Sequence, residues 1–198
     1  MKIEEILKMN DVESIHDYVR LLLVENTKLT NISFSIFNYI SRDKTRHNMS
    51  GVYYEDGFSV ATDGFILVGT KSIYPQELEG KIINNLGATL YYNFPNYKLV
   101  LPKDSDCNSD TEVNLPIEDI TTQYKKYKVA KKEHKNIVNN PHYKFKIGDY
   151  YFNIAMLYEK VLPAQKVIQG KAYTTKDKLY LKNDKGEFIL LMKIVSLS

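Results

Sequence analysis

The clearest pattern along the chain lies between residues 51 and 70, GVYYEDGFSVATDGFILVGT. Short apolar runs rich in Val, Ile, Phe and Tyr are separated there by Asp56-Gly57 and Asp63-Gly64. Asp-Gly suits two-residue hairpin turns, whose backbone needs positive φ, so the stretch predicts a three-strand antiparallel meander. Upstream the period changes. Ile6, Leu7, Ile15, Tyr18, Val19, Leu22 and Leu23 fall at helical spacing, with Asp11 as an N-cap. A second short helix fits ISFSIFNYISRD, with Ile32, Ile36, Tyr39 and Ile40 on one face. Arg42, Lys44 and Arg46 crowd its end, where cations complement the helix dipole.

Beyond the meander, residues 74–102 are irregular, with Pro and Gly punctuating short extended pieces. A polar connection, KDSDCNSDTEVN, separates the two halves. From Ile117 to Lys135 the pattern predicts a helix with Glu118 and Asp119 at its start. Lys125, Lys126, Lys128, Lys131, Lys132 and Lys135 fill its second half. That order suits a solvated helical face. With Tyr124 and Tyr127 interleaved, it also suits a grip on a phosphate backbone. The last part reads as a strand, YKFKIGDYY, and a helix, FNIAMLYEKVL, stopped by Pro163. Three strands follow: QKVIQGKAYTT, DKLYLKN and GEFILLMKIV, with a hairpin tip at Asp184-Lys185-Gly186.

Both halves therefore carry a helix and then three strands, a repeat of topology rather than of sequence. The expected class is α+β, with two helix-plus-three-strand units forming antiparallel sheets and an extra N-terminal helix. Residues 1–102 hold that helix and the first unit, 103–139 the polar connection and basic helix, and 140–198 the second unit.

Composition narrows the chemistry. At 198 residues and 43% hydrophobic, the chain can bury a sizeable core. No apolar run approaches the roughly 20 residues that cross a bilayer, so no membrane partner is expected. The start, MKIEEILKMNDVESIHDYV, lacks the apolar core of a signal peptide, which points to a cytoplasmic location. A net charge of +3 is too small to announce nucleic-acid binding, so the placement of charge must decide. The single Cys107 excludes an intramolecular disulfide and a Cys-based zinc cage. Asp104, Asp106, Asn108 and Asp110 have the spacing of a calcium loop. Ser109 and Leu115 stand where its glycine and closing glutamate belong, so no metal is expected. His16, His47, His134 and His142 are scattered, and no Gly-x-Ser-x-Gly elbow or Gly-rich phosphate loop is present. Neither an enzyme nor a cofactor is expected.

Three segments resemble the bacterial DNA sliding clamp, the beta subunit of DNA polymerase III. SRDKTRHNMSGVYYEDGFSVATDGFILV is similar to the clamp pattern of a helix ending in Arg, a Gly-Val strand and an Ala-Thr-Asp-Gly turn. NFPNYKLVLPK resembles the Phe-Pro-Asp-Tyr…Val-Leu-Pro segment that closes a clamp's middle domain. FNIAMLYEKVL with FILLMKIV is similar to the Phe-Asn helix and the Met-Pro-Met ending of its last domain. The order along the chain is also the clamp order. Departures are equally plain: Lys193 replaces the clamp's proline, and Phe65 and Ile66 stand where a basic residue often follows the Asp-Gly. No second Thr-Asp-Gly unit follows Pro102, so the chain reads as a shortened clamp.

The resemblance implies a non-enzymatic accessory of DNA replication or repair. Its implied partners are double-stranded DNA and the peptide of a DNA polymerase or another clamp-binding protein. Carried over, the apolar peptide cleft would use Thr62, Gly64, Phe65, Leu67, Pro95, Leu99, Val100 and Met192. The implied DNA contacts are Arg42, Lys44 and Arg46, then Lys160 and Lys166; the lysine run adds Lys125, Lys128 and Lys132. Leu67, Val100 and Met192, each taken alone, also read as ordinary core. The competing class is a protein-binding module or decoy that keeps the clamp fold without binding DNA. Clamp rings close through edge strands, whereas GEFILLMKIV reads as an interior strand, so a monomer or dimer is expected rather than a closed ring.

Overall fold

A computed structural model describes residues 35–133 and 142–194. The expected N-terminal helix, with His16 and His134, lies outside the described residues. The meander forms as expected: β1 (Val52–Glu55), β2 (Phe58–Thr62) and β3 (Ile66–Lys71). Its two turns differ. Asp56 (φ 53°) and Gly57 (φ 74°) are both left-handed between the paired Glu55 and Phe58, which makes a two-residue turn. At the second, Thr62 pairs with Leu67, so residues 63–66 make the turn, and Gly64 alone has positive φ (92°).

The remaining elements complete one sheet and one helical layer. β4 (Ile82–Ile83) and β5 (Thr89–Leu90) extend the sheet beyond β1. β6 (Glu112–Val113) precedes the expected basic helix, α1 (Ile117–Glu133). YKFKIGDYY folds as a hairpin rather than one strand, β7 (Lys144–Ile147) and β8 (Tyr150–Asn153), because Gly148 (φ 56°) turns the chain. A rod follows, built from α2 (Ile154–Met156), a π-helical turn (Leu157–Val161) and α3 (Leu162–Ile168). Asn153 caps it by accepting from the N–H groups of Ala155 and Met156. Then come β9 (Lys171–Thr175), β10 (Lys178–Lys182) and β11 (Phe188–Met192).

Two helical expectations are corrected. Pro163 does not stop the rod. It sits in the first turn of α3, directly behind the wide π turn, where the N–H it lacks is not required. The rod ends instead at Gln169, left-handed at φ 51°, and the next strand begins only at Lys171. Within the described part of ISFSIFNYISRD, only Ile36–Tyr39 winds, as a single 3-10 turn. Ser35 supplies no side-chain cap and Ile40 is extended, so no helix end is present to hold Arg42, Lys44 and Arg46.

Among the described residues the sheet has nine strands in the order β5-β4-β1-β2-β3-β11-β10-β9-β6, every neighbour antiparallel. Its middle mirrors itself: the meanders β1-β2-β3 and β9-β10-β11 meet through their last strands, Leu67 opposite Leu190 and Val68 opposite Ile189. β11 is thus interior, as its unbroken apolar run implies. Strand alternation then divides the side chains. Ile66, Val68, Leu179, Leu181, Ile189 and Leu191 point to one face and pack under α1 and the rod. Val60, Leu67, Tyr173, Tyr180, Phe188 and Leu190 point to the other. The irregular segment covers that second face, laying Phe94, Tyr97, Leu101 and Cys107 on it. Phe94 stacks on Tyr53 with centroids 4.8 Å apart.

Gly69 shows how tight the seam is. A Cβ there would be driven into the ring of Phe188, its cross-strand partner. Gly69→Ala is expected to lower unfolding free energy by about 1–3 kcal/mol, read as a reduced urea midpoint. Adding Phe188→Leu should return much of that loss; an unchanged midpoint in Gly69→Ala alone would contradict the packing.

Candidate partner-binding and nucleic-acid surfaces

The Thr62-Asp63-Gly64 turn is built by its own side chains. Thr62 Oγ1 donates to the Ile66 carbonyl (2.8 Å) and accepts from the Gly64 N–H (3.0 Å). Asp63 Oδ1 accepts from the N–H groups of Phe65 (2.9 Å) and Ile66 (3.0 Å), an Asx turn that tightens the loop. From outside, Arg46 donates through Nη1 to the Asp63 carbonyl (2.8 Å), and its guanidinium lies 5.4 Å from the centroid of Phe65. The side chain of Phe65 stays 60% exposed while its carbonyl accepts from the Met192 N–H (2.9 Å). Thr62, Gly64, Phe65, Arg46 and Met192 thus meet at one end of the sheet.

Of the other residues implied for the cleft, Leu67 is beside them as the strand partner of Thr62, and Pro95, Leu99 and Val100 do not join them. Leu67 is buried in the second core. Lys98 pairs with Glu55 (2.8 Å) and Asp56 (3.0 Å) at the β1–β2 turn, and Tyr97 donates to Glu55 (3.2 Å). Its hydrogen bonds to Glu55 and Asp56 raise the pKa of Lys98 well above the usual lysine range. These contacts hold Leu99 and Val100 toward the Asp56 end of the sheet, roughly 17 Å along the strands from the Asp63 end. Pro95, half-buried, lies between Phe94 and Tyr97 on the covering segment. The eight residues fall in two places because the covering segment is pinned by its own ion pairs.

The cations also separate into two groups. Arg46 is committed to the turn. Lys160, in the π-helical turn, donates to the Asn38 carbonyl and lies 5.4 Å from the Tyr39 ring centroid. Burial lowers its pKa below the usual lysine range; Asp63 opposes that shift and Arg42 adds to it. Arg42, Lys44 and Lys166 are exposed and, among the described residues, form no ion pair. On α1 the tyrosines do not face outward with the lysines. Ile120, Tyr124 and Tyr127 are buried at helical spacing, and the Tyr124 hydroxyl donates to Glu159 on the rod. Lys125 and Lys132 point away from that face with Val129, which is 61% exposed, and Lys128 borders it, its ammonium 5.8 Å from the centroid of Tyr124.

No local signal announces Arg46 as the anchor of a turn 17 residues away. Phe94 and Tyr97, which cover the sheet, carry no strand period to mark them apart from their exposed neighbours. The anchor is testable by a double-mutant cycle. Gly64→Ala forces a side chain into positive φ and drives its Cβ against the Arg46 guanidinium. Alone it should cost more than about 1–2 kcal/mol, the ordinary left-handed penalty. In an Arg46→Ala background the Gly64→Ala step should fall back toward that figure, measured by urea unfolding. Additive losses would separate Arg46 from the turn.

This arrangement of sheet and helices has solved counterparts. The chain is similar to the DnaN sliding clamp of Bartonella birtlesii, solved bound to griselimycin, with TM-score 0.54 and 14% identity over 80% of this chain and 61% of that one. It is similar to the DNA polymerase sliding clamp of Bacillus subtilis, with TM-score 0.54 and 14% identity over 81% and 60%. A DNA polymerase III beta subunit from Eubacterium rectale gives TM-score 0.52 and 13% identity over 82% and 61%. No protein-family profile and no curated protein matches the sequence. The chain spans about three-fifths of the length of these clamps. It has the fold of the bacterial DNA sliding clamps, in a divergent form.

Proposed function

We propose that this chain is a non-enzymatic, clamp-like accessory of DNA replication or repair in the cytoplasm, holding duplex DNA by its phosphates through the exposed lysines of α1. One observation carries the reading. Three cations of the sheet and its covering segment are tied to carboxylates, Lys98 to Glu55 and Asp56, Lys171 to Glu112 and Lys182 to Asp104, while Lys71, Lys81, Lys103, Lys176 and Lys185 stand apart from one another, outside any ion pair among the described residues. Lys125, Lys126, Lys128 and Lys132 on α1 are exposed and, among the described residues, take part in no ion pair. Exposed ion pairs add little stability, but they cancel the field that would attract a polyanion. On α1 the uncancelled charge is clustered, with Lys125, Lys126, Lys128 and Lys132 within one helix. Because Tyr124 and Tyr127 face the core, contacts there would be to backbone phosphates, without base readout.

The expected result is salt-dependent binding of a labelled duplex. Changing Lys125, Lys128 and Lys132 together to Glu should reduce the slope of log K against log salt by about 2.7, three phosphate contacts at 0.9 each. Absence of duplex affinity at low salt would leave the protein-binding module as the surviving reading.

A peptide site is the second part of the proposal, favoured by the exposed Phe65 beside Met192 at a rigid turn. It is smaller than the cleft implied by the resemblance, because Leu99 and Val100 stand elsewhere. Phe65→Asp should abolish binding of a clamp-type peptide while leaving the unfolding midpoint within error. Unchanged peptide affinity would remove Phe65 from the site.

A further inference from the structure

The β7–β8 hairpin stands outside the main sheet and has two unlike faces. Phe145, Ile147 and Phe152 are buried against the helical core. Lys144 and Lys146 point the other way, and Tyr151 pairs directly with Lys146 across the ribbon, on the same face. The Tyr151 ring is 50% exposed, and both lysines are exposed. Among the described residues, neither lysine forms an ion pair. The hairpin's one acid, Asp149, is at its tip, beyond the Lys146–Tyr151 pair.

The surroundings hold the hairpin in place on both edges. Gln123 on α1 donates to the carbonyls of Lys144 (2.7 Å) and His142 (3.3 Å), so the basic helix runs beside β7. On the other edge, the Ile194 N–H donates to the Tyr151 carbonyl (2.8 Å), and the Lys193 ammonium sits 5.4 Å from the centroid of Tyr150. The ribbon thus presents one exposed aromatic ring, Tyr151, with Lys146 directly across from it and Lys144 diagonal to it on the same face.

We infer that the outer face of the β7–β8 hairpin binds single-stranded nucleic acid, stacking an unpaired base on Tyr151 and holding flanking phosphates with Lys144 and Lys146. Opposite charge selects a polyanion, and the exposed ring across the ribbon from the lysines selects one with a π-face. A duplex offers its bases already stacked, so this ring gains nothing from it. The α1 lysines have no exposed aromatic among them and make the opposite choice. The hairpin site therefore stands independently of the duplex contact proposed for α1.

The chain contains no tryptophan, so Tyr151→Trp installs a single reporter at the stacking position. Titration with oligothymidylate should quench its emission saturably. Lys144→Glu with Lys146→Glu should weaken binding roughly tenfold and reduce the salt slope by about 1.4, two contacts at 0.7 each. The α1 triple Lys→Glu variant should leave the quenching midpoint within twofold, which separates failure of this site from failure of the duplex reading. In parallel, anisotropy of labelled oligothymidylate with otherwise native protein should show Tyr151→Ala weakening binding by about tenfold. Binding without quenching, quenching indifferent to both lysines, no binding at low salt, or equal competition by polyglutamate of matched charge would each overturn the inference.

Discussion

The pairing of β3 with β11 is the constraint on which the rest of the molecule depends. Two meanders from opposite ends of the described chain are joined there by their last strands. The seam strands are buried on both faces from Ile66 to Gly69 and from Phe188 to Leu191. An antiparallel sheet can leave one face to water, but this one cannot. Leu67, Phe188 and Leu190 lie opposite the helical core, and exposing them would leave a large apolar patch at the centre of the molecule.

The need for a second cover explains the least regular part of the chain. Residues 94–107 make no long element, yet they lay Phe94, Tyr97, Leu101 and Cys107 over the seam. Burial raises the pKa of the Cys107 thiol, as expected of a small hydrophobe rather than a nucleophile. The same segment draws Asp104 to Lys182 and Lys98 to Glu55 and Asp56. Packing the cover thus consumes two cations of that side, Lys98 and Lys182. A consequence for partner binding follows directly: the segment that resembles a cleft wall in sequence is held shut against the sheet at the Asp56 end.

Legibility in the sequence tracks periodicity. The meander, α1, the interior position of β11 and the hairpin tip at Gly186 are readable because each has its own local period or turn residue. Pro163 misleads, since a π turn has no sequence signature and changes what a proline does to a helix. The second Asp-Gly has the sequence of a two-residue turn, yet Asp63 uses its carboxylate to bond two N–H groups rather than adopting positive φ. The interleaved tyrosines of α1 look like partners of its lysines, but helical geometry turns Tyr124 and Tyr127 inward. Arg46 on the Asp63 carbonyl and Lys98 on Glu55 are invisible, because long-range contacts of charged side chains leave no trace in local pattern.

Those long-range contacts decide which of the many cations can meet a ligand. Arg46 and Lys160 are spent on backbone carbonyls at the Asp63 end, where they fix the turn and the Ile36–Tyr39 segment. A phosphate arriving there would have to compete with bonds already formed in a partly buried setting, where breaking them costs the desolvation of the carbonyls as well. On α1 and on the outer face of β7 the lysines are exposed and outside ion pairs, so a phosphate displaces only water and counterions. The fold thereby divides its positive charge: Arg46, Lys98, Lys160 and Lys182 hold the structure, and the lysines of α1 and of the outer face of β7 remain available.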